Sequence, residues 1–154
     1  MRIDEIVAVI KAVLDADATI SGLYPTLVVT HKYDDTPTDE VILDFPYITI
    51  RFMSEVSLDQ IGTYVDRDDD DLPVQGLFRD CLISLYCWDE TENGATKLAD
   101  YSKKAIFRAR DEHEDDGVVD MFEFNSGEAM TSRGPFDSYR AVVYFRMLVK
   151  ETIT

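Results

Sequence analysis

From Phe78 to Trp88 the side chains keep period two: Cys81, Ile83, Leu85 and Cys87 fall on one side, Leu82, Ser84, Tyr86 and Trp88 on the other. Such alternation is the mark of an extended strand, whose successive residues point to opposite faces. The stretch Ser138–Lys150 repeats the pattern. Ala141, Val143, Phe145, Met147 and Val149 make one wholly apolar face; Arg140, Val142, Tyr144, Arg146, Leu148 and Lys150 make the other, half apolar and half basic. An apolar sheet face has to be covered, so the chain needs a second layer.

Two amphipathic stretches can supply that layer. Ile3, Ile6, Val7, Ile10, Val13 and Leu14 recur at helical spacing, with Asp4, Glu5 and Lys11 opposite, predicting a helix over 2–16. A second helix is predicted over 93–110, with capping residues in Asp89–Asn93 and a stripe of Leu98, Tyr101, Ala105 and Ala109 beside Ile106. Shorter strands are read at 26–31, at 46–53, where Pro46 occupies the tolerated first position, and at 118–125. The expectation is therefore an α+β domain spanning 1–154, with a mixed, mostly antiparallel sheet of about five strands and two helices on one face. The stretches 33–40, 54–76 and 126–137 read as loops. Within 54–76, Val56, Leu58, Ile61, Tyr64 and Val65 can form a hairpin with Gly62 near its turn, leaving Asp66–Asp71 as a solvated acidic loop. So long a connection is unusual without a task.

With 154 residues, 45% of them hydrophobic, the chain can bury a core without metal or disulfide staples. Cys81 and Cys87, about 20 Å apart along one strand, are too distant to bridge and read as buried thiols of a reducing compartment. Apolar runs fall far short of the ~20 residues that span a bilayer, and the acidic start is unlike a signal peptide. No membrane role is expected.

Lys and Arg number 15 against 31 Asp and Glu, a net charge of −16, with 21 of the acids Asp and only 6 of the cations Lys. That excess repels nucleic-acid phosphate. It also strains the fold at low salt, a strain relieved when the Debye length drops to ~3 Å at ~1 M. An Asp-rich, Lys-poor surface suits a salt-saturated cytoplasm; an acidic mesophilic protein is the alternative.

Chemistry-bearing motifs are missing. His31 and His113 belong to no zinc-ligand pattern, Ser126-Gly127-Glu128 is no phosphate loop, and there is no nucleophile elbow. Counted from Asp66, the positions where a calcium loop needs Gly and Glu hold Asp71 and Leu77. A solvated loop is the reading, with weak cation binding as the alternative. Neither an enzyme nor a cofactor is expected.

The order of elements resembles a known family. An N-terminal amphipathic helix leads through a strand to Phe45-Pro46-Tyr47-Ile48-Thr49-Ile50; Leu82–Asp89 feeds directly into the Ala95–Arg110 helix; and Phe122-Glu123-Phe124 with Tyr139–Val149 closes the chain. This is similar to the tail terminator proteins of long-tailed phages and viruses, and to the related neck or tail-completion proteins. The resemblance covers nearly the whole chain as an order of elements, without a sharp motif. It implies a virion protein, a hexameric ring capping the head-proximal end of the tail tube, with neck and connector proteins as further partners. DNA would pass through unbound, and the acidity points to the virus of a haloarchaeal host.

Under that resemblance, Asp66, Asp68, Asp69, Asp70, Asp71, Asp111, Asp115 and Asp116 are candidates for a lumen or outer rim that repels phosphate. Candidate subunit or partner contacts are Tyr86, Trp88, Arg140, Tyr144 and Arg146 on the second sheet face, with Tyr64, Arg133 and Phe136 from the long loops. If two helices cover one face, the other is left as an apolar patch for a partner, unless loop 54–76 folds over it. Two competing readings remain: a connector one layer nearer the head, and an acidic regulator or DNA mimic whose charges would line one face.

Overall fold

The computed structural model describes residues 3–31, 45–52, 59–113, 117–123, 130–133 and 138–153. Helices α1 (Ile3–Ala16) and α2 (Ala18–Leu23) lead to strands β1 (Val28–His31), β2 (Tyr47–Phe52), β3 (Asp59–Arg67) and β4 (Pro73–Asp89). Helix α3 (Glu92–Arg108) follows, then β5 (Val118–Glu123), β6 (Met130–Arg133) and β7 (Tyr139–Ile153).

α1 forms where the periodicity places it, with Ile6, Ile10, Val13 and Leu14 buried and Asp4 and Glu5 at the positive end of the helix dipole. α2 is a short helix that the sequence reading did not anticipate. Asp17 creates it: one carboxylate oxygen accepts the amides of Thr19 and Ile20, both at 3.1 Å, satisfying donors a helix start leaves open. α3 begins in the same way, with the Thr91 hydroxyl accepting the Gly94 amide at 3.0 Å. Its buried face is mostly small (Ala95, Ala99, Ser102, Ala105, Ala109) around Leu98 and Ile106, which lets the helix lie close on the sheet.

The sheet is mixed and mostly antiparallel: β1 runs parallel to β2, and every other pairing is antiparallel. Its main path is β1-β2-β4-β7-β5, with β3 also on β4 and β6 also on β7. β4, 17 residues long, and β7, 15 residues long, form the central ribbon, in register from Gln75↔Ile153 to Asp89↔Tyr139. Such long strands share their outer edges. β2 takes Ile83–Trp88 of β4, while β3 takes Pro73–Asp80. Along β7, β6 takes Tyr139–Val142 and β5 takes Phe145–Val149.

The core lies between the helices and the face made by Val29, Ile48, Ile50, Phe52, Cys81, Ile83, Leu85, Cys87, Ala141, Val143, Phe145, Met147 and Val149. Apart from Val29, these are the inward residues read from the period-two pattern. Full burial of a Phe or Ile side chain stabilises by about 1.5–3 kcal/mol each. Both cysteines are free and buried, and burial pushes each thiol up to about 12, the Cys87 rise being partly offset by a hydrogen bond with Ser102.

Two loop expectations are corrected. In 54–76, residues from Asp59 onward form β3, a five-residue turn and the start of β4. Gly62 sits at a register shift inside β3, where a bulge replaces regular pairing, and the turn lies instead in the acidic run. Within 126–137, Met130–Arg133 is strand β6; the rest of that stretch and 33–40 lie outside the described residues.

Candidate functional site

Three features stand out, and all follow from the unequal reach of strands and helices. The first is the β3–β4 arm. From Pro73 to Cys81, where burial on the helix side becomes complete, β4 covers about 26 Å at ~3.3 Å per residue. At its end the acidic run is an ordered turn. One Asp68 carboxylate oxygen accepts the amides of Asp70 (3.0 Å) and Leu72 (2.8 Å), and Asp68 N donates to the Leu72 carbonyl at 3.0 Å. Asp71 adopts φ 60°, a left-handed conformation that Asp tolerates better than most residues, and Arg67 donates to its carbonyl at 2.7 Å. Asp suits this turn because its short acceptor reaches backbone two to four residues on. Val65 (71% exposed) and Leu72 (58% exposed) flank the acids with bare apolar surface.

The second feature is the sheet face turned away from the helices. The sequence leaves this face either a bare patch or covered by 54–76; in the structure Tyr47, Thr49, Ser84, Trp88 and Val142 are buried on it. A ladder of rings and guanidinium groups crosses it. Phe45 stacks on Tyr47 (5.4 Å) and Tyr47 on Trp88 (6.2 Å). The Arg140 guanidinium lies 5.8 Å from the Trp88 ring and 4.5 Å from that of Tyr86, and the Arg51 guanidinium lies 5.8 Å from the Tyr86 ring. The rings' negative faces hold these cations. Farther along, Arg146 Nε donates to Asp80 at 3.0 Å, and a second contact joins Arg146 Nη2 to Asp80, a bidentate pair with Asp80 almost buried. Lys150 reaches Asp66 at 3.9 Å. Arg140 has no carboxylate partner among the described residues. Its buried Nε and the buried Trp88 indole N–H both lack an acceptor there.

The third feature is a cleft of about 490 Å³ where the end of α1 meets the end of α3, lined by Ala12, Ala16, Thr19, Ala109, Glu112 and His113 among others. The Asp17–Arg108 pair spans it at 2.6 Å. Burial pushes the Asp17 carboxyl up, but the hydrogen bond and charge of Arg108 and the amides of Ile20 and Thr19 outweigh it, holding Asp17 below the ordinary carboxylate value.

Of the candidate residues, Asp66, Asp68, Asp69, Asp70 and Asp71 are brought together, all exposed, on the arm's turn. Asp111 is exposed at the far end of α3, beside Arg110 at 3.4 Å, and Asp115 and Asp116 lie outside the described residues. Tyr86, Arg140, Tyr144 and Arg146 are half-buried on the second face, with Trp88 only 2% exposed among them. Tyr64 stands in β3 opposite Gly76, and Arg133 in β6 opposite Tyr139; Phe136 is outside the described residues. The sequence reading missed Phe45, Tyr47, Arg51 and Asp80. Strand register reveals three of them: Tyr47 opposes Trp88 and Arg51 opposes Ser84, diagonal to Tyr86, across β2–β4, and Asp80 opposes Leu148, diagonal to Arg146; Phe45, ahead of β2, joins through its stack on Tyr47.

Among the described residues no group of three His, Cys, Asp or Glu side chains is placed to hold a metal, and no helix is long and apolar enough to cross a membrane. The fold thus defines a class: a two-layer α+β protein whose helices cover part of one sheet face and whose central ribbon runs on into an acidic hairpin. No protein-family model matches the chain, and neither does any curated protein. Among solved structures, a chain from the virion of a native gene transfer agent (GTA) particle is similar at 19% identity, with 94% of each chain covered and a TM-score of 0.46. Similarity at that level assigns this chain neither a family nor a function.

Proposed function

We propose that this chain is a non-enzymatic structural protein of a virion, a tail terminator whose copies close into a ring on the head-proximal end of the tail tube. The observation that carries the proposal is the long β4–β7 ribbon ending in an ordered, solvent-exposed hairpin beyond the helix-covered core. Such an arm suits contact between chains. The element order supports the same role, with β4 passing into α3 through Glu90 and Thr91 alone. Partners under this reading are further copies of the chain, the tail tube protein and the neck or connector proteins. DNA passes a lumen or mouth whose carboxylates repel phosphate. The acidity suits assembly in a salt-rich haloarchaeal cytoplasm, where screening removes the repulsion between copies.

A DNA mimic is less well supported, because the second face carries Arg51, Arg140, Arg146 and Lys150 and the hairpin acids are confined to a turn. The test is light scattering of the purified chain in ~2 M KCl over a range of concentrations, followed by mixing with polymerising tail tube protein. A ring mass and shortened tubes are expected. A strict monomer that leaves tube growth unchanged overturns the reading. Imaging of the virion neck separates a terminator from a connector one layer nearer the head.

A further inference from the structure

The arm's acidic turn and the arginine ladder lie at opposite ends of one strand. From Pro73 at the turn to Trp88 beside Arg140 there are fifteen residue steps along β4, about 50 Å at ~3.3 Å per step. One copy cannot bring the two together within itself. Each, however, has what the other needs. The run Asp66–Asp71 holds five carboxylates against Arg67, with Lys150 reaching Asp66 at 3.9 Å, and the carboxylates of Asp69 and Asp70 take no side-chain bond among the described residues. At the far end, half-buried Arg140 has ring partners but no carboxylate among the described residues, and exposed Arg51 shares the Tyr86 ring with it. In a chain of net charge −16, where acids outnumber bases two to one, an arginine with no carboxylate among the described residues is conspicuous.

We propose that the acidic hairpin turn of one copy docks on the Arg51–Tyr86–Arg140 ladder of the next, and that this is the contact that links subunits. This deepens the ring reading and rests on it. The contact joins two different patches, so it is heterologous, and repetition of a heterologous contact closes a ring when the rotation allows. Planar guanidinium groups held on aromatic faces keep their N–H edges available for carboxylates, which is why arginine rather than lysine suits the position. Val65 and Leu72 add apolar contact that salt does not screen, so the joint survives conditions that weaken its ion pairs.

Complementary charge reversal tests this. The arm variant Asp69→Lys/Asp70→Lys spares Asp68, whose carboxylate builds the turn. The face variant is Arg51→Glu/Arg140→Glu, with Arg51→Glu alone as the version that leaves the buried stack intact. Each variant by itself should need at least about tenfold more protein to assemble than the unaltered chain, as reversal at a charged interface centre commonly does. Mixed one to one, arm and face variants pair lysine with glutamate at one joint and aspartate with arginine at the next, and assembly should return. Melting curves confirm that each variant is folded; if the double face variant is not, Arg51→Glu takes its place in the mixture. Assembly of both folded variants at the unaltered concentration overturns the contact, as does a mixture that fails to recover. A strictly monomeric unaltered chain instead overturns the ring reading itself, so the two failures are distinguishable.

Discussion

Replacing Asp17 by alanine probes the junction that joins the first two helices to the third. Two interactions are lost together. The carboxylate caps α2 through the Thr19 and Ile20 amides at 3.1 Å, and removal of such a cap costs about 1 kcal/mol. It also meets Arg108 at 2.6 Å, where the Asp17 side chain is 10% exposed and that of Arg108 is 54% exposed. Solvent screening on the arginine side limits that pair to about 0.5–1 kcal/mol. The sum, about 1.5–2 kcal/mol, lowers Tm by roughly 3–8 °C in a chain of this size. Asp17→Asn keeps a capping oxygen and removes only the charge, so it should lose less than half as much. The pH dependence follows from the direction of the shift. Asp17 is held below its ordinary value of 3.8, so its charge stabilises the fold above that value, and the contribution disappears as pH falls through the lower folded value. The difference between the unaltered chain and Asp17→Asn, followed by thermal or urea unfolding from pH 6 to pH 2.5, should therefore shrink toward zero. In molar salt the Asn penalty should shrink as well, while most of the Ala penalty remains. An Ala penalty below ~0.5 kcal/mol, or an Asn penalty independent of pH, refutes the reasoning.

Thr91→Ala removes the cap of α3 and should destabilise by about 1 kcal/mol in denaturant unfolding, with Thr91→Ser close to neutral. Phe145→Ala hollows the centre of the sheet, where Phe145 is 1% exposed, and should cost about 3–5 kcal/mol by the same measurement. With their thiols pushed up to about 12, Cys81 and Cys87 should resist a thiol reagent at pH 8 in the native state and react at once in denaturant; fast native labelling would show that the strand opens. Molar potassium chloride should raise Tm by several degrees over ~0.1 M salt, since the −16 charge is then screened; equal midpoints would mean the carboxylates are already well compensated.

Local pattern was enough for the elements whose residues repeat at one period. Cys81 to Cys87, Ala141 to Val149 and Ile48 to Phe52 declare both a strand and its buried face, because period two survives whatever the strand pairs with. Ile6 to Leu14 declares a helix in the same way, and the acidic balance shows directly in composition. α2 was nearly legible: Asp17 two and three residues before Thr19 and Ile20 is a cap signal, but six residues carry too little periodicity to register. What tertiary structure alone decided is what depends on partners distant in sequence. The first part of β4, from Pro73 through Gly76, was read as loop and is extended because β3 and β7 hydrogen-bond to its edges. The acidic run becomes a hairpin turn only once those strands pair. Trp88 is buried, and Arg140 lies between its ring and that of Tyr86, because β2, β4 and β7 place residues 47, 88 and 140 in one row. Periodicity fixes which face a side chain takes; register, set by hydrogen bonds between distant strands, fixes its neighbours.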